Sequence, residues 1–305
     1  MAGRRALGRP LSEQSPNVLG AVYMVIGSLG YVTNDALIRV AADEGLGVYQ
    51  ALCLRNIAMT VLFAGMIRAR RHAISSRRVS RPVAARVGAE VVATALFFAA
   101  IVHLEFANAQ TILLVVPFAV TLVAGTIGDE TVSASQYATV AAGFLGVVLV
   151  VQPGGSAFSP WSIAVLGAAA CLTFREFATQ RVDDSIPASF VALVTAAAIA
   201  VMTGVLAVFT GWSPLTGRAA IVVLLACCCL IVGYVFTIQT VRVGDLSVSA
   251  PFRYTTLLGA VVLGWAFFDE IADTLTVAGC TVIVVSGIGA IRLEQRTHRA
   301  ADAPG

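Results

Sequence analysis

The sequence predicts an all-α membrane protein with ten transmembrane helices in two inverted five-helix repeats. Its 305 residues are 58% hydrophobic and only 12% charged, whereas a soluble domain averages about 25% charged residues. The mean hydropathy of +0.87 indicates the same class. Five residues recur 140 positions later, which indicates a duplicated unit. The matched pairs are Gly27 and Gly167, Thr33 and Thr173, Asp43 and Asp183, Asp129 and Asp269, and Glu130 and Glu270.

Ten segments contain the roughly 20 mostly apolar residues that a spanning helix needs. They lie near 18–40, 47–67, 87–105, 107–127, 135–152, 160–180, 187–209, 219–240, 246–267 and 274–292. The loops between them are short and leave no room for a soluble ATPase domain. The predicted organisation is a cytoplasmic tail (1–17), a first repeat (18–152), a connecting loop (153–159), a second repeat (160–292) and a cytoplasmic tail (293–305).

Arginine placement predicts the orientation. Seven arginines lie between residues 68 and 86, in the connection between the second and third spans. Both the N-terminal and the C-terminal tail contain further arginines. All of these fall on one side of a ten-span chain, which the positive-inside rule makes cytoplasmic. Five spans per repeat is an odd number, so the second repeat enters the membrane from the other side. Glu130 is therefore expected in the cytoplasm and Glu270 outside, around a shared polar cleft.

Charged residues within the first two spans are candidates for function, since a charge at mid-membrane costs about 2.5–3.5 kcal/mol. Asn34, Asp35 and Arg39 fall late in the first span. Asp35 and Arg39 are four residues apart and can pair on one helix face. The alternatives are a structural ion pair at the helix end and a substrate gate. Arg55 lies deep in the second span, at a depth similar to that of Asp35. Its alternatives are a substrate or gating role and a structural tether.

Further candidates lie in the later spans. Arg175 and Glu176 occupy the places in the second repeat that Asp35 and Ala36 occupy in the first, and interfacial snorkelling is the alternative to function. In the string from Ala250 to Tyr254, Pro251 lacks a backbone donor. Such breaks are tolerated in membranes where the chain lines a cavity, so Arg253 and Tyr254 are candidate cavity residues. Asn108 and Gln239 are polar span-end candidates that could equally join helices.

A second proline, Pro117, lies inside the fourth predicted span. It is expected to break that helix for the same reason as Pro251, because its nitrogen carries no hydrogen to donate. The two prolines do not occupy matched places in the two repeats, since Pro117 corresponds to residue 257 of the second repeat.

The sequence carries no signal for a cofactor, a metal or a nucleic-acid partner. It has no phosphate-binding GxxxxGK[ST] loop and no HExxH motif. Cys227, Cys228 and Cys229 are consecutive and point about 100° apart on a helix, so they cannot share one metal ion. The expected partners are the lipid bilayer, a small-molecule substrate, and a coupling proton or counter-substrate, with Asp35, Glu105 and Glu176 as candidate proton carriers. The sequence leaves open whether the protein acts as a monomer or a homodimer.

At these residues the chain resembles the EamA-type transporters of the drug/metabolite transporter superfamily, over roughly residues 18–292. Asp129-Glu130 and Asp269-Glu270 resemble the acidic pairs that end the fourth and ninth helices of that family. Arg39 followed by Arg55, and the ninth-span string from Ala250 to Tyr254, are similar to further family motifs. Thr139 departs from the pattern, because the second repeat has Gly279 at that place.

The resemblance implies a multi-pass protein of the cell inner membrane with both termini in the cytoplasm. It implies alternating access through a central cavity lined mainly by helices 1, 3, 4, 6, 8 and 9. The expected substrate-binding residues are Asn34, Asp35, Arg55, Asn108, Arg175, Gln239, Arg253 and Tyr254.

The leading expectation is a permease for a small polar organic metabolite, such as an amino acid or a related solute. Asp35 and the membrane arginines would suit amino and carboxyl or phosphate groups. The alternatives are an importer of riboflavin or S-adenosylmethionine, and a non-transporting membrane receptor or assembly factor. An intramembrane enzyme is disfavoured because no paired carboxylates or His/Asp set occur at matched depth.

Overall fold

In the computed structural model, the described residues are 11–69, 79–127, 134–153, 159–183, 185–243 and 249–301. Their regular secondary structure is entirely helical. The elements are α1 (Leu11–Ala41), a π-helical turn (Ala42–Leu46), α2 (Val48–Ala69), α3 (Arg81–Ile101), α4 (Phe106–Leu113), α5 (Val116–Ile127), α6 (Ala134–Val151), α7 (Trp161–Gln180), α8 (Ala188–Thr210), α9 (Gly217–Val243), a 3₁₀ helix (Ala250–Tyr254), α10 (Thr255–Phe268) and α11 (Thr274–Ala301).

The described helices form a multi-pass membrane protein. Seven segments are long and apolar enough to cross a bilayer, with α4 and α5 together making one of them. Three further apolar helices are shorter: Tyr137–Val151 within α6, Phe252–Phe268, and Thr274–Gly289 within α11. Outward-facing side chains are apolar, as for Val208 and Phe209, which are 73% and 83% exposed. Such a surface suits hydrocarbon and not water.

Several predicted boundaries are wrong. The third span was expected at 87–105, but α3 is Arg81–Ile101. It begins earlier because Pro82 lies in the first turn, where a missing N–H costs no helical hydrogen bond. It ends earlier because residues 102–105 turn back, and the N–H groups of His103 and Leu104 both bond to the Ala100 carbonyl.

The two ends of the described chain also extend beyond the predicted spans. α1 begins at Leu11, inside the predicted N-terminal tail, and α11 continues to Ala301, inside the predicted C-terminal tail. Apolar content indicates which part of a helix can lie in lipid. The helical hydrogen bonds of the backbone continue into the polar residues on either side, so the helix is longer than its membrane span.

Two spans are broken near proline, as the sequence predicted. In the fourth span, expected over 107–127, helical hydrogen bonding stops at Leu114 and resumes at Val116. Pro117, in the first turn of α5, has no N–H to donate to the preceding turn. The predicted ninth span, 246–267, opens with the 3₁₀ helix that contains Pro251 before α10 begins.

The helices pack in pairs. α1 packs against α9, α2 against α8, α3 against α7 and α6 against α11, while α4 contacts α10. Glycines allow two of these crossings to be close. A methyl group on Gly30 would lie 2.8 Å from the Gly233 nitrogen, and one on Gly146 would lie 2.9 Å from the Gly279 carbonyl oxygen. Small residues at crossings are the usual basis of helix association in lipid.

The buried core lies between these pairs. Its largest fully buried side chains include Phe106, Phe118 and Ile283. They belong to one cluster that also includes residues of α1, α3, α6 and α7. Beside α1 the core is interrupted by a cavity that has charged and polar residues in its wall.

Candidate substrate cavity

A cavity of about 580 Å³ lies inside the bundle. This volume falls within the range of small-molecule sites, roughly 300–1,000 Å³. Its walls come from α1, α2, α3, α4, α7, α8, α9 and the start of the ninth span. The cavity therefore involves the second and seventh spans, through Arg55 and Thr195, in addition to the six helices that the family resemblance implied. Its charged lining residues are Asp35, Arg55, Arg86, Glu90, Arg175 and Arg253.

Four polar side chains form one end of the cavity and are called the deep cluster: Asn34, Asp35, Arg55 and Gln110. The Asp35 carboxylate accepts hydrogen bonds from Asn34 Nδ2 and Gln110 Nε2, both at 2.9 Å. Arg55 Nη1 donates to Asn34 Oδ1 at 3.2 Å. Asn34 thus separates the acid from the base, while Gln110 ties α4 to α1. A network of this kind holds its side chains in fixed positions.

Arg55 is the most buried ionisable side chain of the deep cluster. It is only 6% exposed. Its guanidinium carbon lies 5.7 Å from the centroid of the Phe98 ring, which adds a cation–π contact. Its Nε has no hydrogen-bond partner among the described residues. Nε is enclosed by protein, so the donors that can meet an acceptor in the cavity are those of the terminal nitrogens, of which only Nη1 is hydrogen-bonded within the described part of the chain, to Asn34.

A second set of charges lies toward the other end of the cavity and is called the mouth cluster: Arg86, Glu90, Arg175 and Glu176. Arg175 Nη1 bonds to Glu90 Oε2 at 2.7 Å, which links α7 to α3. The same guanidinium also pairs with its neighbour Glu176. Arg86 Nη1 donates to Thr195 Oγ1 at 3.1 Å and links α3 to α8.

The mouth cluster gives the cavity its direction. Arg86 lies near the start of α3, and Arg175 lies near the end of α7. Both positions are at the end of the bundle where α2 also ends. The cavity therefore extends from the deep cluster toward the side on which the arginine-rich 68–86 connection joins the helices.

The opposite end of the bundle is closed by side-chain contacts, and we call this the closed end. Arg39 Nη2 and Glu270 Oε1 form an ion pair at 2.6 Å, and Arg39 Nη1 donates to the Leu104 carbonyl at 3.0 Å. Glu270 Oε2 accepts the Phe106 backbone N–H at 2.5 Å. Arg39 also lies over the Phe268 ring, 4.2 Å from its centroid. These contacts join α1, α4 and the residues after α10 above the deep cluster.

The closed end decides how the charges of α1 are paired. The spacing of Asp35 and Arg39 allows them to pair with each other, but each has other partners. Their spacing places them on similar faces of α1. However, Asp35 points to Gln110 in the cavity wall, and Arg39 reaches the carboxylate of Glu270.

Hydrogen bonds between neighbouring connections support the closed end. Gln50 exchanges two hydrogen bonds with Ser213, its Nε2 donating to the carbonyl at 2.8 Å and its Oε1 accepting from the N–H at 2.9 Å. Asp273 accepts from the Thr276 N–H at 2.7 Å and from Gln152 Nε2 at 2.8 Å. These donors hold the pKa of Asp273 below its usual value. Burial, followed by repulsion from Glu270, raises the pKa of Glu105.

Five of the predicted site residues lie in the cavity wall: Asn34, Asp35, Arg55, Arg175 and Arg253. The other three do not. Tyr254 is buried against Gly287 of α11. Asn108 lies at the closed end, where Nδ2 donates to Glu105 and Oδ1 accepts from Thr276. Gln239 is partly exposed near the end of α9 and does not line the cavity.

Other polar lining residues were not among the predicted site residues. They are Ser28, Tyr31, Asn56, Arg86, Glu90, Thr94, Gln110, Thr195, Tyr234, Thr237 and Thr256. Glu90 carried a usable signal, because it is an acid inside a predicted span, and so did Gln110 at the start of the fourth span. Arg86 fell outside the predicted third span, whose boundary was misplaced. Single tyrosines and threonines carry no such signal, because these residues occur on every face of membrane helices.

A bundle of membrane-spanning helices that surrounds a charged cavity closed at one end is typical of membrane transporters. Named relatives belong to that class. The chain is 25% identical over 282 residues to a pseudopaline exporter of Pseudomonas aeruginosa, covering 90% of this chain and 97% of the relative. It is also 25% identical over 300 residues to a riboflavin transporter of Rhizobium johnstonii, covering 94% and 95% of the two chains.

A solved crystal structure shares the fold. It aligns with a TM-score of 0.62 and 19% identity over 95% of this chain and 99% of the other. No family model matches the sequence.

Proposed function

We propose that the protein is a secondary transporter that moves a small polar organic metabolite across the cell inner membrane by alternating access. The observation that carries this proposal is the charged cavity, which ends at the deep cluster and is separated from the opposite side by the Arg39–Glu270 closed end. A solute bound beside Asp35 and Arg55 would be released on the other side if those closed-end contacts separated and the mouth cluster came together.

The helix pairs support two repeats of five spans that are related by a pseudo-two-fold axis. Counted as spans, with α4 and α5 as the fourth, the pairs are first with eighth, third with sixth, second with seventh, fourth with ninth, and fifth with tenth. If each span is replaced by the equivalent span of the other repeat, five places away, the first–eighth pair becomes the sixth–third pair. The second–seventh, fourth–ninth and fifth–tenth pairs each map onto themselves. A pseudo-two-fold arrangement has this property, and it allows inward-open and outward-open states of similar energy.

The cavity extends toward the arginine-rich end of the bundle, which the positive-inside rule makes cytoplasmic. The structure then corresponds to an inward-facing state with cytoplasmic termini. Impermeant thiol labelling of intact cells tests this orientation, in a variant without the six native cysteines. Ile271→Cys, at a side chain that is 80% exposed next to Glu270, should label from outside, and Glu130→Cys only after permeabilisation. Glu130 lies outside the described residues, but its place in the chain suffices for labelling.

An amino acid or a related solute fits the pairing of an acid and a base in the deep cluster, where an ammonium group and a carboxylate would each meet an opposite charge. Import of a flavin-like or other cofactor is the second candidate, favoured by the riboflavin-transporter relative. The pseudopaline-exporter relative favours outward transport. A non-transporting receptor is the candidate from another class.

Flux in proteoliposomes tests the function. Purified protein should exchange labelled amino acids, riboflavin or S-adenosylmethionine with saturable kinetics. Asp35→Asn should reduce that flux at least about tenfold, because one lost charged contact is worth roughly 1.5–3 kcal/mol. Asp43→Asn, at an exposed site on the turn after α1, is the matched control. A ligand that stabilises the protein but never crosses the bilayer would indicate the receptor instead.

Coupling is proposed to involve Asp35, because it is an intramembrane carboxylate without a direct ion pair among the described residues. An imposed pH gradient should accelerate wild-type flux and should leave residual Asp35→Asn flux unaffected. Counter-substrate exchange would instead require solute on both sides and would be insensitive to the gradient.

A further inference from the structure

Arg55 uses few of its hydrogen-bonding groups. A guanidinium carries five N–H donors. Arg55 makes one side-chain hydrogen bond, to Asn34 Oδ1, and its Nε has no partner among the described residues. No ion pair joins it to any described carboxylate. Because the side chain is only 6% exposed, this charge is buried without a full set of acceptors. Such burial is costly in a membrane unless a partner is supplied.

Asp35 does not supply that partner. Its oxygens already accept from Asn34 and Gln110, and the Asn34 amide lies between the two charges. The neutral amides therefore stabilise the carboxylate, while the guanidinium remains in the cavity wall. Asp35 therefore leaves the remaining terminal donors of Arg55, in the cavity wall, without an acceptor in the described part of the chain.

The rest of the cavity wall is also unevenly charged. Four arginines and two acids line it. Glu90 is paired with Arg175, and Arg86 is bonded to Thr195. Arg253 has no hydrogen bond or ion pair in the part of the chain that the structure describes. An excess of cations in a low-dielectric cleft attracts anions.

We propose that Arg55 is the oxyanion-binding residue of the transport site, so that the transported solute carries a carboxylate or a phosphate. This inference rests on the proposed transport function. The planar guanidinium matches both oxyanions and can bind either with two parallel hydrogen bonds. The two terminal nitrogens supply this geometry, because Nη2 has no hydrogen bond and Nη1 has only one among the described residues, whereas Nε is enclosed by protein. The Phe98 ring lies 5.7 Å from the guanidinium carbon.

Ligand-induced thermal stabilisation of the purified full-length protein tests the assignment. The probes are matched pairs: amino acids and dicarboxylic acids with their carboxamides, phosphate monoesters with their parent alcohols, and inorganic phosphate alone. We expect only oxyanion-bearing members to raise the melting temperature. The acid and ester arms then distinguish carboxylate from phosphate. Stabilisation by the neutral members to an equal degree, or by no oxyanion at all, would overturn the assignment.

Two variants locate the effect. Arg55→Gln should weaken oxyanion binding by about 10- to 100-fold, the range for a hydrogen bond to a charged group. Arg55→Lys retains the positive charge but not the planar group that can make two parallel hydrogen bonds, and it should lose an intermediate amount of oxyanion affinity. The melting temperature of each unliganded variant shows whether it has folded. Arg218→Gln, whose guanidinium is 80% exposed beside Glu44, is the control and should bind as the wild type does.

Flux measurements separate this inference from the transport proposal. Oxyanion binding that is lost in Arg55→Gln, together with no wild-type flux in proteoliposomes, would leave the Arg55 assignment intact and reject transport. Saturable wild-type flux with an unchanged KM in Arg55→Gln would reject the assignment and leave transport intact.

Discussion

Arg39 and Asp35 lie one helical turn apart on α1, yet they contact different parts of the molecule. Helical spacing determines that two side chains share a face. It does not determine their partners, because an acid delivered from a distant segment competes for the same arginine. Glu270, after α10, reaches Arg39 at 2.6 Å. Asp35 is left to the amides of Asn34 and Gln110, and its carboxylate remains in the cavity wall.

Gly287 of α11 packs directly against the side chain of Tyr254. A methyl group at this position would overlap the Tyr254 ring. We expect Gly287→Ala to reduce stability by about 1–3 kcal/mol, the usual cost of overpacking. Gly289→Ala, two residues later in α11, would meet only Thr139 at an ordinary 3.4 Å and should be neutral or slightly stabilising. Detergent-resistance unfolding curves would measure both. Equal effects would show that Tyr254 can move aside.

At the scale of elements, the close crossings at glycines can be tested with matched substitutions. Gly30 of α1 faces the backbone of α9, whereas a methyl group added to Gly65 of α2 would have no neighbouring atom within 4 Å. Both substitutions to alanine gain about 1 kcal/mol of helix propensity. Gly30→Ala should nevertheless lower the melting temperature, while Gly65→Ala should raise it or leave it unchanged. A stabilised Gly30→Ala would contradict the close α1–α9 packing.

The start of α11 depends on Asp273, which caps the helix by accepting the Thr276 N–H. Asp273→Ala should cost about 1 kcal/mol, whereas Asp273→Asn keeps an acceptor oxygen and most of that stability. Because the folded pKa of Asp273 is lowered, its contribution is present at neutral pH. It should be lost as pH falls below the unfolded pKa of about 3.9 and through the lower folded value.

A pH series of unfolding measurements checks this sign. Asp273→Asn should flatten the acid side of the stability curve relative to the wild type. An unchanged slope between about pH 4 and pH 3 would show that Asp273 titrates alike in the folded and unfolded states.

At the scale of the whole molecule, the closed end should connect the two halves energetically. A double-mutant cycle on Arg39→Met and Glu270→Gln is expected to give a coupling of about 1–3 kcal/mol, because the pair is only 13% and 14% exposed. The Arg218–Glu44 pair is the control. Its arginine is 80% exposed, so its coupling should fall within about 0–1 kcal/mol.

Transport provides the second measurement of the closed end. If the Arg39–Glu270 pair keeps the closed end shut, breaking it should favour the state that is open at that end. A cysteine placed at Asn34 should then label more readily from the side of the membrane on which the closed end lies. Stability coupling without any change in labelling would assign the pair to packing alone.

The sequence predicted the helical class and the approximate position of the seven segments that are long and apolar enough to cross a bilayer, because about 20 consecutive apolar residues have few alternatives to a membrane helix. It also predicted the breaks at Pro117 and Pro251, since proline removes a donor wherever it occurs. Of the residues that line the cavity, it singled out Asp35, Arg55 and Arg175 through the cost of burying their charge.

Tertiary structure decided which of these charges meet, because partners such as Glu270 and Gln110 come from segments 75 or more residues away and sequence spacing carries no information about such approach. It likewise decided that Asn108 and Gln239 lie outside the cavity and that Tyr254 packs against Gly287. Local composition determines what must be buried in lipid. Only the packing of helices against one another determines what each buried polar group faces.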